Sequence, residues 1–288
     1  NGGIFTLNAD GSYSFNPGTA FDRLAPGQQD TTQIRYTVSD GQGGTATSTL
    51  TVTVTGTNDA PVARADTGST GENAILNVSA ARGVLANDSD VDGGTLSVRA
   101  VNGTDANVGQ AITGSNGGTF TLNADGSYSF NPGTAFDRLA AGQTDKTQIS
   151  YTVSDGQGGT STSTLTVTVT GTNDLPVAKA DTQTTVENAT LNGQVPVATD
   201  VDGTVESYQL ATDVGQGNGA LSFNSDGSYT FNPGADFDSL PVGESRDVTF
   251  SYTATDNNGG VSAPQTVTIT VTGTNDAPVA VADTGSTG

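Results

Sequence analysis

The stretch DSDVDGG sets three carboxylates, Asp88, Asp90 and Asp92, at alternate positions before a glycine. Two carboxylates at i and i+2 on a tight loop can both reach one hard cation, which takes ~6–8 oxygen ligands. A later copy, Asp200-Val201-Asp202-Gly203, keeps the pair but has Ala198 where Asp88 stands. A solvated turn would also satisfy such a pair taken alone. Five other acidic signals recur. TVSDGQGG places Asp40 and Asp155, and TATDNNGG places Asp256, at the end of an alternating run. FDR or FDS places Asp22, Asp137 and Asp238. An acid–Asn step gives Glu72-Asn73 and Glu187-Asn188. GTND gives Asn58-Asp59, Asn173-Asp174 and Asn275-Asp276, each followed two residues later by Pro. Asp10-Gly11, Asp125-Gly126 and Asp226-Gly227 need no more than a two-residue hairpin turn.

The DSDVDGG loop is not an EF-hand. The bidentate Glu required at the twelfth position is Arg99, and no helical pattern flanks the loop. With no Cys and no His, zinc and copper sites of the usual kind and disulfides are excluded. The same absence removes the common nucleophile and general base, and nothing orients the many Ser and Asp residues as a triad. An enzyme is not expected. The chain has 288 residues and a formal net charge of -21, so nucleic acid and anionic membrane are not expected partners. Divalent cations are. Of 30 acids, 26 are Asp, a residue favoured in turns and caps over helix surfaces. No apolar run approaches the ~18 residues of a membrane span, so membrane insertion is not expected either.

These acids must be positioned by repeats. Residues 1–60 align without a gap to 116–175, with 53 of 60 positions identical. NADGSYSFNPGTAFDRLA occurs at Asn8 and Asn123, and a looser copy starts at Asn224. The final ADTGSTG, from Ala282, copies the stretch from Ala65. The pattern reads as a cut from a longer array: the back part of a repeat at 1–57, complete repeats at 58–175 and 176–277, and the start of another at 278–288. Period-two alternation predicts strands near 62–67, 74–78, 95–101, 118–122, 127–131, 147–154 and 162–170. About seven short strands per repeat imply an all-β chain of tandem antiparallel Greek-key sandwiches of immunoglobulin type. The expected core of the second repeat is Phe120, Leu122, Tyr128, Phe130, Phe136, Ile149, Tyr151, Val153, Leu165 and Val167.

The order Glu-Asn, D-x-D-G, F-D-[RS], [ST]-x-[ST]-D, alternating strand, then N-D-x-P resembles the cadherin repeat. It is most similar to the bacterial cadherin-like or VCBS-type repeats of large RTX-type surface adhesins. The resemblance covers the whole chain. It implies an end-to-end rod of sandwiches whose joints bind Ca²⁺, on the bacterial surface or secreted, serving attachment or biofilm formation. The implied ligands of the first joint are Asp22, Asn58, Asp59, Asp90, Asp92 and Asp155. Those of the second are Glu72, Asp137, Asn173, Asp174, Asp200, Asp202 and Asp256. Those of the third are Glu187, Asp238, Asn275 and Asp276. The sequence departs from the cadherin pattern at Gly56, Gly171 and Gly273, which replace the linker's first Asp, at Ala60, Leu175 and Ala277, which replace its second Asn, and in lacking the Glu after L-D-R. Fewer ions per joint follow, with Asp66, Asp181 and Asp283 as candidates to fill the gap. The implied partners are neighbouring repeats of the same chain. Two alternatives are a filament of identical chains and a module contacting carbohydrate or protein through Tyr13, Tyr128 and Tyr229 or the Thr-rich faces.

Overall fold

Alternation of Thr with Val or Leu puts β-branched polar side chains on one face and apolar ones on the other, which favours a half-buried strand. The computed structural model, described for residues 2–278 and 280–285, realises this pattern most fully at Thr160–Thr170 and Gln265–Thr272. Four strands form two separate hairpins in the first segment: β1 (Ile4–Leu7) with β2 (Tyr13–Asn16), and β3 (Gln29–Ser39) with β4 (Thr45–Thr55).

The second repeat has eight strands: β5 (Asp66–Gly71), β6 (Leu76–Val78), β7 (Ser97–Val101), β8 (Ala111–Thr113), β9 (Thr119–Leu122), β10 (Tyr128–Asn131), β11 (Thr144–Ser154) and β12 (Thr160–Thr170). They form one sheet ordered β6-β10-β9-β8 and another ordered β5-β12-β11-β7. The third repeat has β13 (Asp181–Val186), β14 (Leu191–Gln194), β15 (Val205–Thr212), β16 (Ala220–Phe223), β17 (Ser228–Asn232), β18 (Ser245–Asp256) and β19 (Gln265–Thr272). Its sheets run β13-β19-β18-β15 and β14-β17-β16. Most pairings are antiparallel, but the first strand of each complete repeat adds parallel to the last, β5 on β12 and β13 on β19. By contact the chain divides into two compact units, Asn1–Phe136 with Thr144–Thr170, and Asp137–Gln143 with Gly171–Gly288.

All ten side chains expected in the core of the second repeat are buried. Phe120 and Phe130, opposite each other on β9 and β10, sit 4.6 Å apart between ring centroids. The third repeat gathers Tyr229, Phe231, Phe237, Phe250, Tyr252 and Ile269 in the same way.

Four expectations need correction. The first strand of the second repeat lies at 66–71, not 62–67; Val62 makes only an isolated bridge to Ser89. Pro61 interrupts the early stretch, and the run of small residues after Asp66 suits a strand laid along a long neighbour. The three-residue β8 was too short to leave a period. The Asp125-Gly126 turn is a three-residue loop, because Asn123 and Ser127 still pair across it; Gly126 takes φ 82° and closes it. Tyr128 and Tyr229, 5 % and 2 % exposed, are core residues that offer no contact surface, whereas Tyr13 is 54 % exposed.

Candidate metal centre

The first joint is built on the end of β4, the linker that follows it, and two loops of the second repeat. The Asn58 amide reaches Asp155, at the end of β11, and donates to its Oδ2 at 2.8 Å. The other oxygen of Asp155 accepts the backbone N–H groups of Gln157 and Gly159 at 2.7 and 3.1 Å. The Asn58 amide, ahead of these N–H groups, holds the Asp155 carboxyl below its ordinary range while burial opposes it. Gly159 has to be glycine, because a Cβ there would collide with the Asp155 carboxylate and lie 3.0 Å from the Asn58 amide nitrogen.

The backbone N–H of Asp59 donates to Asp92 Oδ2 at 2.6 Å, and the N–H of Asp92 donates to Asp90 Oδ1 at 2.9 Å. Asp90 Oδ2, Asp92 Oδ1 and Asn58 Oδ1 are buried with no hydrogen-bond partner. Asp22 and Asp59 line a separate pocket of about 170 Å³ with Phe21, Leu24, Gly56 and Thr57. Five of the six expected residues are thus tied together in pairs, while Asp22 shares only the lining of that separate pocket with Asp59.

The linker of the second joint repeats the arrangement. Asn173 donates to Asp256 Oδ2 at 2.8 Å, and Asp256 Oδ1 accepts Asn258 and Gly260 N–H at 2.7 and 2.8 Å. The Asn258 side chain adds a bond to Asn173 Oδ1 at 2.6 Å. That contact was not legible, because the equivalent residue is Gln157. Asp200 Oδ1 accepts the N–H groups of Asp202 and Gly203, and leaves its buried Oδ2 without a partner. Burial pushes the Asp202 carboxyl up, the adjacent Asp200 adds to this, and the Asp174 backbone N–H opposes it. Glu72 is buried beyond β5, with its backbone N–H on Thr170 O at 3.0 Å. Glu72 belongs to one compact unit, and Asp137, Asn173, Asp174, Asp200, Asp202 and Asp256 belong to the other.

At the third joint Glu187 is 2 % exposed and accepts both the backbone N–H and the hydroxyl of Thr274, while its Oε2 is buried without a partner. Asn188 bridges Thr274 Oγ1 at 2.9 Å and Asp276 Oδ1 at 3.3 Å. Asn275, Asp276 and Asp238 are exposed. Asp66 and Asp181 do not turn to the joints. Asp66 accepts the Tyr151 hydroxyl at 2.6 Å, and Asp181 accepts Gln183 Nε2 at 2.7 Å.

Among the described residues, no three His, Cys, Asp or Glu side chains already converge as a formed metal site. The donor set is nonetheless all oxygen, with buried carboxylate atoms left over in two loops. That is the chemistry a hard cation satisfies.

A model of the bacterial cadherin-like domain matches residues 58–171 and again 173–273. The chain belongs to the bacterial cadherin-like family. Residues 1–53 match a bacterial Ig domain. No curated protein sequence matches. Among solved structures, the chain is similar to mouse clustered protocadherin PcdhgC3 EC1-3, at 14 % identity and a TM-score of 0.46, covering 94 % of this chain and 86 % of that one. It is also similar to mouse Cadherin-23 EC22-24, at 16 % identity and TM-score 0.48, covering 92 % and 79 %. The human Desmocollin-1 ectodomain matches at 15 % and 0.42, where this chain spans 95 % of itself but 52 % of that chain. No helix among the described residues is long and apolar enough to cross a membrane.

Proposed function

We propose that these cadherin-like repeats are the extender region of a large extracellular bacterial adhesin, and that Ca²⁺ stiffens their joints. The observation that carries this reading is the pair of D-x-D loops. Asp90 Oδ2 and Asp92 Oδ1 beside one linker, and Asp200 Oδ2 beside the next, are buried and carry no hydrogen bond. Buried carboxylates left unsatisfied destabilise a fold unless a cation or proton neutralises them.

The residues proposed to hold the ion at the first joint are Asp22, Asn58, Asp59, Asp90, Asp92 and Asp155. Glu72, Asp137, Asn173, Asp174, Asp200, Asp202 and Asp256 would serve the second, and Glu187, Asp238, Asn275 and Asp276 the third. Calcium would supply the positive charge that lets these acids stand together. Asn58 and Asn173 fix the linker on Asp155 and Asp256, and Asp59 fixes Asp92 through its backbone. A ligand that binds only when linker and loop are in register converts its binding free energy into stability of that register. Near-identical copies, with no distinctive residue cluster confined to one of them, suit a spacer whose length comes from duplication.

The test is calcium titration calorimetry on the 288-residue chain, with thermal melts in calcium and in chelator, for the parent and for Asp202→Asn. Saturable heat, a higher melting temperature in calcium and a reduced gain in the variant are expected. No heat and coincident melts would overturn the calcium reading and leave a passive string of sandwiches.

A further inference from the structure

The loops that follow β11 and β18 share a backbone and differ in side chains. The first reads Asp155-Gly156-Gln157-Gly158-Gly159 and the second Asp256-Asn257-Asn258-Gly259-Gly260. In each, the Asp Oδ1 accepts the N–H groups two and four residues on, at 2.7 and 3.1 Å in the first and 2.7 and 2.8 Å in the second. In each, the Asp Oδ2 accepts the linker amide, from Asn58 or Asn173, at 2.8 Å. An ionised carboxylate only accepts, so the amide nitrogen must face it and the amide oxygen is left for another partner. That partner differs. Asn58 Oδ1 is buried with no hydrogen bond. Asn173 Oδ1 accepts the Asn258 side-chain amide at 2.6 Å. Gln157, the counterpart of Asn258, is exposed.

Asn257 makes a second tie. Its backbone N–H donates to Thr204 O at 2.9 Å, and its Oδ1 accepts the backbone N–H of Thr204 at 2.8 Å. Thr204 directly follows Asp200-Val201-Asp202-Gly203, so the D-x-D loop is fastened to the end of β18. The counterpart of Asn257 is Gly156, which has no side chain to offer. From these differences we infer that Asn258 is a positioning residue. It docks the second linker on the third repeat by hydrogen bonds alone, with Asn257 steadying the D-x-D loop beside it. The first linker has no such cap and leaves Asn58 Oδ1 for calcium. The two linkers therefore depend on calcium unequally, the first more and the second less. The calcium half of this inference rests on the function proposed above; the Asn258 half does not.

A buried amide oxygen without a partner disfavours the docked linker, and a hard cation accepts amide oxygens as readily as carboxylates. At the second linker the Asn258 N–H already fills that need. It presents positive charge to the same oxygen that a cation would use, so cap and ion compete for it. A single hydrogen bond made only in the docked state shifts docking about 2–10-fold.

Amide hydrogen exchange of the 288-residue chain tests it, read by mass spectrometry on peptides covering 56–65 and 171–180, in chelator and in calcium. In the parent, calcium should slow exchange at 56–65 more than at 171–180. Asn258→Ala keeps the loop's backbone N–H on Asp256 and should speed exchange at 171–180 about 2–10-fold in chelator. Calcium should restore much of that loss, because the freed Asn173 oxygen is open to the ion. Gln157→Asn installs the cap at the first linker. It should slow exchange at 56–65 in chelator and shrink the calcium response there, a gain that general destabilisation would not produce. Unchanged exchange at 171–180 in Asn258→Ala would overturn the inference, as would an equal calcium-induced slowing at both linkers of the parent. Linkers that ignore calcium while both variants shift exchange in chelator would uphold the Asn258 latch and overturn the calcium reading instead.

Discussion

The side-chain amide of Asn58 donates to Asp155 at 2.8 Å across 97 positions of sequence, and Asn173 donates to Asp256 at the same distance across 83. The same contact forms at two joints whose surrounding loops differ in sequence. An amide opposite a carboxylate holds the linker without any ion, since it presents a donor where an Asp would present a second negative charge. Replacing Asn173 with Asp should therefore expose the electrostatics of the joint. In chelator, Asn173→Asp should melt below the parent, because two carboxylates then face each other. In calcium, the gap should close or reverse. Paired melts of parent and variant check this, and equal losses in both conditions would show that the amide does no more than fill space.

The TVSDGQGG stretch owes its last glycine to that latch. A Cβ at Gly159 would strike the Asp155 carboxylate and crowd Asn58, and one at Gly260 would strike Asp256 and crowd Asn173. Gly159→Ala should cost about 1–3 kcal/mol through overpacking. Gly158→Ala meets no neighbour but has φ 111°, so its cost is backbone strain alone. Urea denaturation of the two variants, with the calcium-induced gain as second readout, separates them. Only Gly159→Ala should reduce the calcium gain.

Much of the fold was legible because repetition and period two are strong signals. Leu165 and Val167 alternate with Thr, and that pattern assigned them to the core. The parallel first strand was harder. Asp66-Thr-Gly-Ser-Thr-Gly71 has no apolar alternation, because β5 lies at a sheet edge and its Gly68 packs against Tyr128 and Leu76. The joints were legible as a list of acids and only partly as a geometry. Asn258, the Thr274–Glu187 contact and the diversion of Asp66 to Tyr151 depend on which strand ends meet. No spacing in the sequence encodes that.

Asp66 gives a pH prediction. Burial raises its carboxyl above the ordinary range, the Tyr151 hydroxyl pulls it back, and the Asp88 charge raises it again. A raised folded value means that the folded chain holds this proton to higher pH than the unfolded chain. The contribution of this group to stability is then full below the ordinary Asp range and falls as pH rises through the raised value. Asp66→Asn keeps an acceptor for Tyr151 and removes the charge. It should match or exceed the parent's melting temperature at neutral pH and lose that advantage in acid. Tyr151→Phe instead strips the hydrogen bonds to Asp66 and Arg64 and should cost about 1–3 kcal/mol. A constant offset of Asp66→Asn across pH would contradict the raised value.

Two identical stretches in different surroundings allow a test of where the core lies. Phe130 and Phe15 share the sequence SYSFNPG, yet Phe130 is fully buried between β6 and β9 while Phe15 is only partly covered. Intrinsic strand propensity is the same at both sites, so any difference in cost comes from packing. Phe130→Ala should cost about 3–5 kcal/mol. Phe15→Ala should cost a fraction of that, because less apolar surface leaves water when its hairpin forms. Leu165→Ala and Leu50→Ala form a second such pair on β12 and β4. Chemical denaturation of the four variants gives the four costs. If Phe15→Ala matched Phe130→Ala, the first segment would be packed far more completely than its exposed Ile4 and Tyr13 show.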